Sequence, residues 1–249
     1  MIDQPAIPAA TLILARDMAS GPPELLLVER AATMAFAAGA MVFPGGRIDP
    51  EDHEFGKTLD VEHGAAIVAA VRETIEETAV PVALDPFPTP ALALELQRAL
   101  LAGTGLATLL DSHGLSFDAG ALTPWARWLP NFHTTRRFDT LFFLASAPPG
   151  DWLPNVGEGE NRVAEWVSAA DALARHGAGS ASLIFPTRRN LERLAKHDSA
   201  DALHAHARAH PVETITPWVE ERDGERWLTI PRHLGYPVTQ EKLDGLWRG

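Results

Sequence analysis

Apolar residues recur along this chain in two rhythms, one suited to strands and one to helices. Short apolar runs at 9–15 and 25–29 read as strands, the second buried on both faces, with Gly21-Pro22-Pro23 as the turn between them. From 65 to 78 the spacing becomes helical, placing Ile67, Val68, Val71 and Ile75 on one face. Residues 81–90 hold four prolines and read as an extended bridge that no helix could cross. Helices at 91–101 and 106–112 follow, a small helical insertion within about residues 90–120 that could shape a pocket for a long substrate arm. Strands resume at 125–129, 138–146 and 162–167, and Ser168-Ala169-Ala170-Asp171 opens a short helix like a capping box. Helices at 187–197 and 201–209 precede two runs, 212–221 and 226–230, that pair as a hairpin across Asp223-Gly224. The alternation predicts one α/β domain over residues 1–249, an α/β/α sandwich with a mixed sheet.

The face of the 65–78 helix opposite its apolar stripe carries Glu73, Glu76 and Glu77. Carboxylates at spacings of three and four point to a common place, repel one another and gain proton affinity unless a cation lies among them. Oxygen ligands of this kind select Mg²⁺ or Mn²⁺. A solvated acidic helix face is the plainer alternative. Upstream, Phe43-Pro44-Gly45-Gly46 follows an apolar run and ends in paired glycines, which permit a tight turn and a close approach of backbone to ligand.

Gly46, Arg72-Glu73, Glu76-Glu77 and Val80 together resemble the signature of the Nudix hydrolase superfamily. The resemblance implies a Nudix-type sandwich and a diphosphatase in which Glu73, Glu76, Glu77 and the Gly45 carbonyl bind divalent metal. Glu76 and Glu77 are then the catalytic helix residues. Besides Ala79, which stands where a late glycine is usual, two features depart from the pattern. The spacing from Gly46 to Arg72 is longer than usual and takes in Pro50-Glu51-Asp52-His53, and Gly64 stands where a glutamate usually pairs with the arginine. Glu62 is the nearest substitute in sequence. Leu26-Leu27-Val28-Glu29-Arg30-Ala31, Gly39 and the Phe-Pro-Gly-Gly turn also resemble the coenzyme A signature of one Nudix branch, and the run Met34-Ala35-Phe36-Ala37-Ala38-Gly39-Ala40-Met41-Val42-Phe43 resembles more closely still its peroxisomal coenzyme A diphosphatase subgroup, which carries a comparable insertion. Val28 and Ala35 stand where a threonine and a second arginine are usual. The resemblance implies cleavage of coenzyme A or acyl-coenzyme A to 3′,5′-ADP and (acyl-)4′-phosphopantetheine, with Arg30, Gly39, Phe43, Gly46 and Arg136 binding substrate. Arg137, Arg188 and Arg189 are further cations for its phosphates; a surface ion pair is the alternative for Arg30. Another nucleoside diphosphate derivative, such as ADP-ribose, a nucleotide sugar or a dinucleotide, is the rival substrate, and a non-catalytic nucleotide sensor the rival class.

A carboxylate outside the helix would complete such a site. Glu160 in the acidic run Gly157-Glu158-Gly159-Glu160 is the first candidate and Glu158 the second, with Glu165 a further one or a structural residue. His204, His206 and His210 read as a solvated helix face and His133 as an ordinary loop residue, while Trp125 and Trp128 read as core. A net charge of −12 argues against nucleic-acid partners and leaves attraction of an anionic substrate to local arginines and metal. The chain has no cysteine, so thiol nucleophiles, thiolate metal sites and disulfides are excluded. No long apolar run or leader appears, which sets cytoplasmic residence without membrane contact as the expectation. The family resemblance is compatible with a homodimer, which no residue specifies.

Overall fold

The computed structural model describes residues 5–31, 37–130, 137–157 and 161–243. The chain opens with strands β1 (Ile7–Arg16), β2 (Glu24–Arg30), β3 (Ala40–Val42) and β4 (Gly45–Arg47). Helices α1 (Pro50–Gly56) and α2 (Gly64–Thr78) follow, then β5 (Leu84–Asp85), α3 (Pro90–Leu101), α4 (Leu106–His113) and β6 (Ser116–Phe117). Strands β7 (Thr123–Trp128), β8 (Phe138–Ser146) and β9 (Asn161–Ser168) lead into α5 (Ala169–Gly177), β10 (Ser182–Leu183), α6 (Phe185–Leu194) and α7 (Ala200–Arg208). The last strands are β11 (Thr214–Ile215), β12 (Trp218–Arg222), β13 (Glu225–Thr229) and β14 (Gln240–Lys242).

Nine of these strands form one mixed sheet. At its middle, β1 runs parallel to β8 and antiparallel to β2 and β4. Side chains alternate across a strand, and both faces of β1 are apolar. Ala10, Leu12 and Leu14 pack with Ile67, Val71 and Ile75 of α2 and with Leu96 and Leu110 of α3 and α4. Ile13 and Ala15 pack on the opposite side with Leu191 and Leu194 of α6 and Leu203 of α7. A sheet apolar on both faces must be covered on both, and the result is an α/β/α sandwich with a mixed sheet. Each fully buried Leu or Ile contributes about 1.5–3 kcal/mol.

Two elements depart from the sequence expectation. The run 212–221 is not one strand. Pro217 lacks an N–H for the ladder, so Thr214–Ile215 joins the main sheet parallel to β7, and Trp218–Arg222 pairs with β13 across Asp223-Gly224. Helix α1 was not foreseen. Its signals are local: Asp49 precedes Pro50 at the first turn, and the Asp49 N–H donates to the Asp52 carboxylate at 2.8 Å. Helix α1 packs against α2 through glycines, since a Cβ on Gly64 would collide with the Gly56 backbone. Among the described residues no helix is long and apolar enough to cross a membrane.

Candidate functional site

Helix α2 carries Arg72, Glu73, Glu76 and Glu77 near its C-terminal end. Arg72 is 9% exposed and organises its neighbours. Its Nε and Nη2 donate to the two oxygens of Asp52 at 2.9 and 2.8 Å. Its Nη1 donates at 3.0 Å to Glu73 Oε1 and, one turn on, at 3.0 Å to Glu76 Oε2, and Nη2 also reaches the Arg47 carbonyl at 3.0 Å. A planar guanidinium with a fork of donors is suited to such a web, and a compact ammonium is not.

Asp52 is a member of this network that the sequence does not single out. It is 2% exposed and comes from the insertion, on α1, where it faces Arg72 in the place of the glutamate absent at Gly64. Glu62, the expected substitute, instead points to His63 at 3.4 Å and is largely exposed. The two departures from the motif are therefore one rearrangement. Glycine at 64 is what lets α1 lie close enough to bring Asp52 to the arginine, because any side chain there meets Gly56.

The glycine turn closes the other side of the carboxylates. Strand β4 places Gly45 opposite Thr11 of β1, and the Gly45 N–H donates to Glu77 Oε2 at 3.1 Å. A Cβ at Gly46 would overlap the Glu73 carboxylate where it now lies, so a side chain there would displace that carboxylate. Burial, together with Glu77 and Glu76, pushes the Glu73 carboxyl up to about 8 against the pull of Arg72. Burial also raises Glu76, although Arg72 opposes it. For Arg72 burial works against the charge, but hydrogen bonding to Asp52 and the nearby Glu73 and Glu76 charges prevail and raise its pKa.

The expected convergence of three carboxylates on one point is not met in this arrangement. Among the described residues no group of three acidic or histidine side chains forms a ready cation cage. Arg72 draws Glu73 and Glu76 toward itself while Gly45 holds Glu77.

Arg30 and Gly39 meet through the backbone, the Gly39 N–H donating to the Arg30 carbonyl at 3.0 Å where β2 ends and β3 begins. Phe43, expected to bind substrate, has its ring in the core at 2% exposed, packed with Met41 and Leu183, so its contribution is to packing. Arg188 and Arg189, considered as phosphate ligands, are held by Glu192 and Glu241, and Arg189 is fully buried. Glu165 pairs with Arg175 at 2.6 Å. Arg136, Glu158, Glu160 and His133 lie outside the described residues. The histidines of α7 do not form a solvated face. His206 is half-buried against Trp125, His197 and His210 and accepts from Arg193 Nε at 2.8 Å. Trp125 and Trp128 are buried, as expected.

No family model matches the chain. Among curated proteins, human acyl-coenzyme A diphosphatase NUDT19 is 27% identical over 262 residues, covering 83% of this chain and 67% of its own. Putative nudix hydrolase 7 of Caenorhabditis elegans is 24% identical over 215 residues, 83% of this chain and 68% of its own. A solved structure of a NUDIX hydrolase from Alicyclobacillus acidocaldarius is 32% identical. It covers 82% of this chain and 97% of its own, with a TM-score of 0.70. Likeness at that level, over most of both chains, means that this chain belongs to the Nudix hydrolase superfamily.

Proposed function

We propose that this protein is a divalent-metal-dependent hydrolase that cleaves the diphosphate bond of coenzyme A or its thioesters, giving 3′,5′-ADP and (acyl-)4′-phosphopantetheine. The observation that carries the substrate class is the run from Arg30 through Gly39 to Gly46. It joins a cation and a backbone turn to the carboxylate helix in one continuous segment, and similarity to the human acyl-coenzyme A diphosphatase covers 83% of the chain.

The residue types, though not the present positions of their side chains, fit a hard divalent cation. Three carboxylates, Glu73, Glu76 and Glu77, share one helix face, and Arg72 takes one oxygen each from Glu73 and Glu76. The Gly45–Gly46 backbone lies against the same group, and a side chain at 46 would push the Glu73 carboxylate from its present position. Glu73, Glu76, Glu77 and the Gly45 carbonyl would hold Mg²⁺ or Mn²⁺. When bound, that ion screens the diphosphate charge and lowers the proton affinity of water. Arg72 and Asp52 keep Glu73 and Glu76 in register, which spares the reacting carboxylates the cost of ordering. Arg30 and Arg136 bind substrate phosphates, Gly39 and Gly46 let backbone approach it, and Glu160 takes a proton from the attacking water. A non-catalytic sensor has less support, because its chief argument was the missing glutamate and Asp52 fills that place.

One observation favours a second substrate reading. Arg188 and Arg189 are both engaged by carboxylates, and the second signature arginine is Ala35, so fewer cations remain for the 3′-phosphate of coenzyme A. ADP-ribose and nucleotide sugars lack that phosphate. A substrate panel with Mg²⁺ or Mn²⁺, read by mass spectrometry of products, decides between them. Coenzyme A should rank among the better substrates and yield 3′,5′-ADP; turnover of ADP-ribose alone rejects the coenzyme A assignment.

A further inference from the structure

Glu76 and Glu77 sit in the last turn of α2, which ends at Thr78. The final carbonyls of a helix have no partner within it, and a last turn frays unless something outside accepts the task of bonding them. Here the C-cap is Ala79 in the left-handed region at φ 53°, a conformation that a residue with a Cβ rarely adopts. A carboxylate pair meant to hold an ion is thus placed where helix geometry is weakest.

The carbonyls are met from elsewhere in the chain. Gln97 of α3 is 2% exposed, and its Nε2 donates to the Glu76 carbonyl at 3.0 Å and to the Asn155 carbonyl at 2.7 Å. Asn155 Nδ2 returns a bond to Gln97 Oε1 at 2.8 Å, and the Asn155 N–H donates to the Thr78 carbonyl at 2.7 Å. One buried amide therefore ties three segments together: the helical insertion, the chain at Asn155, and the end of the carboxylate helix.

We propose that Gln97 is a positioning residue for the metal-binding carboxylates, acting through the backbone of the last turn of α2 with Asn155 as its partner. The helical insertion is then part of the catalytic apparatus as well as a cover for the core. Glu76 and Glu77 can share an ion only if their Cα atoms keep helical spacing, and Gln97 fixes the carbonyl of the first. The idea rests on the metal reading above, and the test separates the two.

The variants are Gln97→Leu, which keeps the size and removes the donors, and Asn155→Ala, which removes only the return bond at an exposed position. Amide hydrogen exchange is measured on metal-free protein, and Mn²⁺ binding by the loss of its free electron-paramagnetic signal, both well below the unfolding temperature. In Gln97→Leu the amides of Ala79 and Val80 should exchange at least about tenfold faster. Mn²⁺ affinity should fall by about 10-fold to 100-fold, the range for outer partners of metal ligands. Asn155→Ala should move both readouts in the same direction by a smaller factor. Unchanged exchange at 79 and 80 and unchanged Mn²⁺ affinity, with only a lower melting temperature, overturns the proposal and leaves Gln97 as packing. Wild-type protein that takes up no Mn²⁺ removes the metal reading itself, while hydrogen exchange still reports whether the amide holds the helix end.

Discussion

The two faces of the sheet each bury an arginine-centred network, and their charge balance differs. On the α2 face, Arg72 meets Asp52, Glu73 and Glu76, with Glu77 beside them, so carboxylates outnumber the single cation. On the α6–α7 face, Arg193 has neutral partners: its Nε donates to His206 and its Nη1 to the Trp125 carbonyl, and the guanidinium lies over the rings of Trp125 and Tyr236. Burial lowers the Arg193 pKa, whereas the carboxylates around Arg72 raise that of Arg72. The first network has an anionic surplus and glycine-lined backbone at its edge, which suits an incoming cation. The second is cationic and closed by aromatic rings, which suits a structural core. A buried arginine alone does not mark a site; the sign of what is left over does.

The largest expected effect breaks the first network at its ligands. Glu76→Gln and Glu77→Gln should each lower turnover by orders of magnitude with an unchanged circular dichroism spectrum. Arg193→Met on the other face should leave turnover per folded molecule as it was. Full activity in both glutamine variants removes the metal assignment.

Asp52→Ala should cost about 1–3 kcal/mol of stability, because it leaves the Arg72 Nε without its acceptor while Glu73 and Glu76 still balance the charge; denaturant midpoints measure this. A loss near zero contradicts the view that the insertion supplies the arginine's partner. Gly64→Ala should cost about 1–3 kcal/mol by forcing α1 and α2 apart, the usual penalty for overpacking. Its activity should fall along with its stability, since Asp52 moves with α1.

The smallest effects are in pH dependence, and the two faces should respond in opposite directions. Glu73 is raised in the folded protein from 4.5 to about 8, so without metal its contribution is full below 4.5 and is lost as pH rises through 8. Added Mg²⁺ must displace that proton, so the melting-temperature gain from Mg²⁺ should grow between pH 6 and pH 8, and Glu73→Gln should abolish the growth. His206 is lowered from 6.5 to about 4, chiefly by burial and then by Arg193, so its contribution is present above 6.5 and is lost as pH falls toward 4. Replacing His206 with Gln should flatten the acid side of the stability curve and leave the alkaline side alone.

Regular spacing made the strands, the carboxylate helix and its apolar face readable from the sequence, since both faces of β1 and one face of α2 repeat with fixed periods. Asp52 was not readable in the same way. Its partner Arg72 lies twenty residues on, and only the packing of Gly56 against Gly64 brings the two together. Gln97 sits at an ordinary helix position with no sequence mark of its three bonds. Residue type at Phe43, Arg188 and Arg189 suggests ligand contact, but it does not convey the burial of Phe43 or the pairing of both arginines with Glu192 and Glu241. Nor does the spacing of the α7 histidines convey that Arg193 approaches them from another helix.

The central claim is that Glu73, Glu76 and Glu77 share a divalent ion. Anomalous diffraction from crystals grown with Mn²⁺ tests it most directly. The peak should be bounded by these three carboxylates and the Gly45 carbonyl, with Arg72 still held by Asp52. Glu73 and Glu76 still bonded to Arg72, with no peak beside them at saturating Mn²⁺, would contradict it.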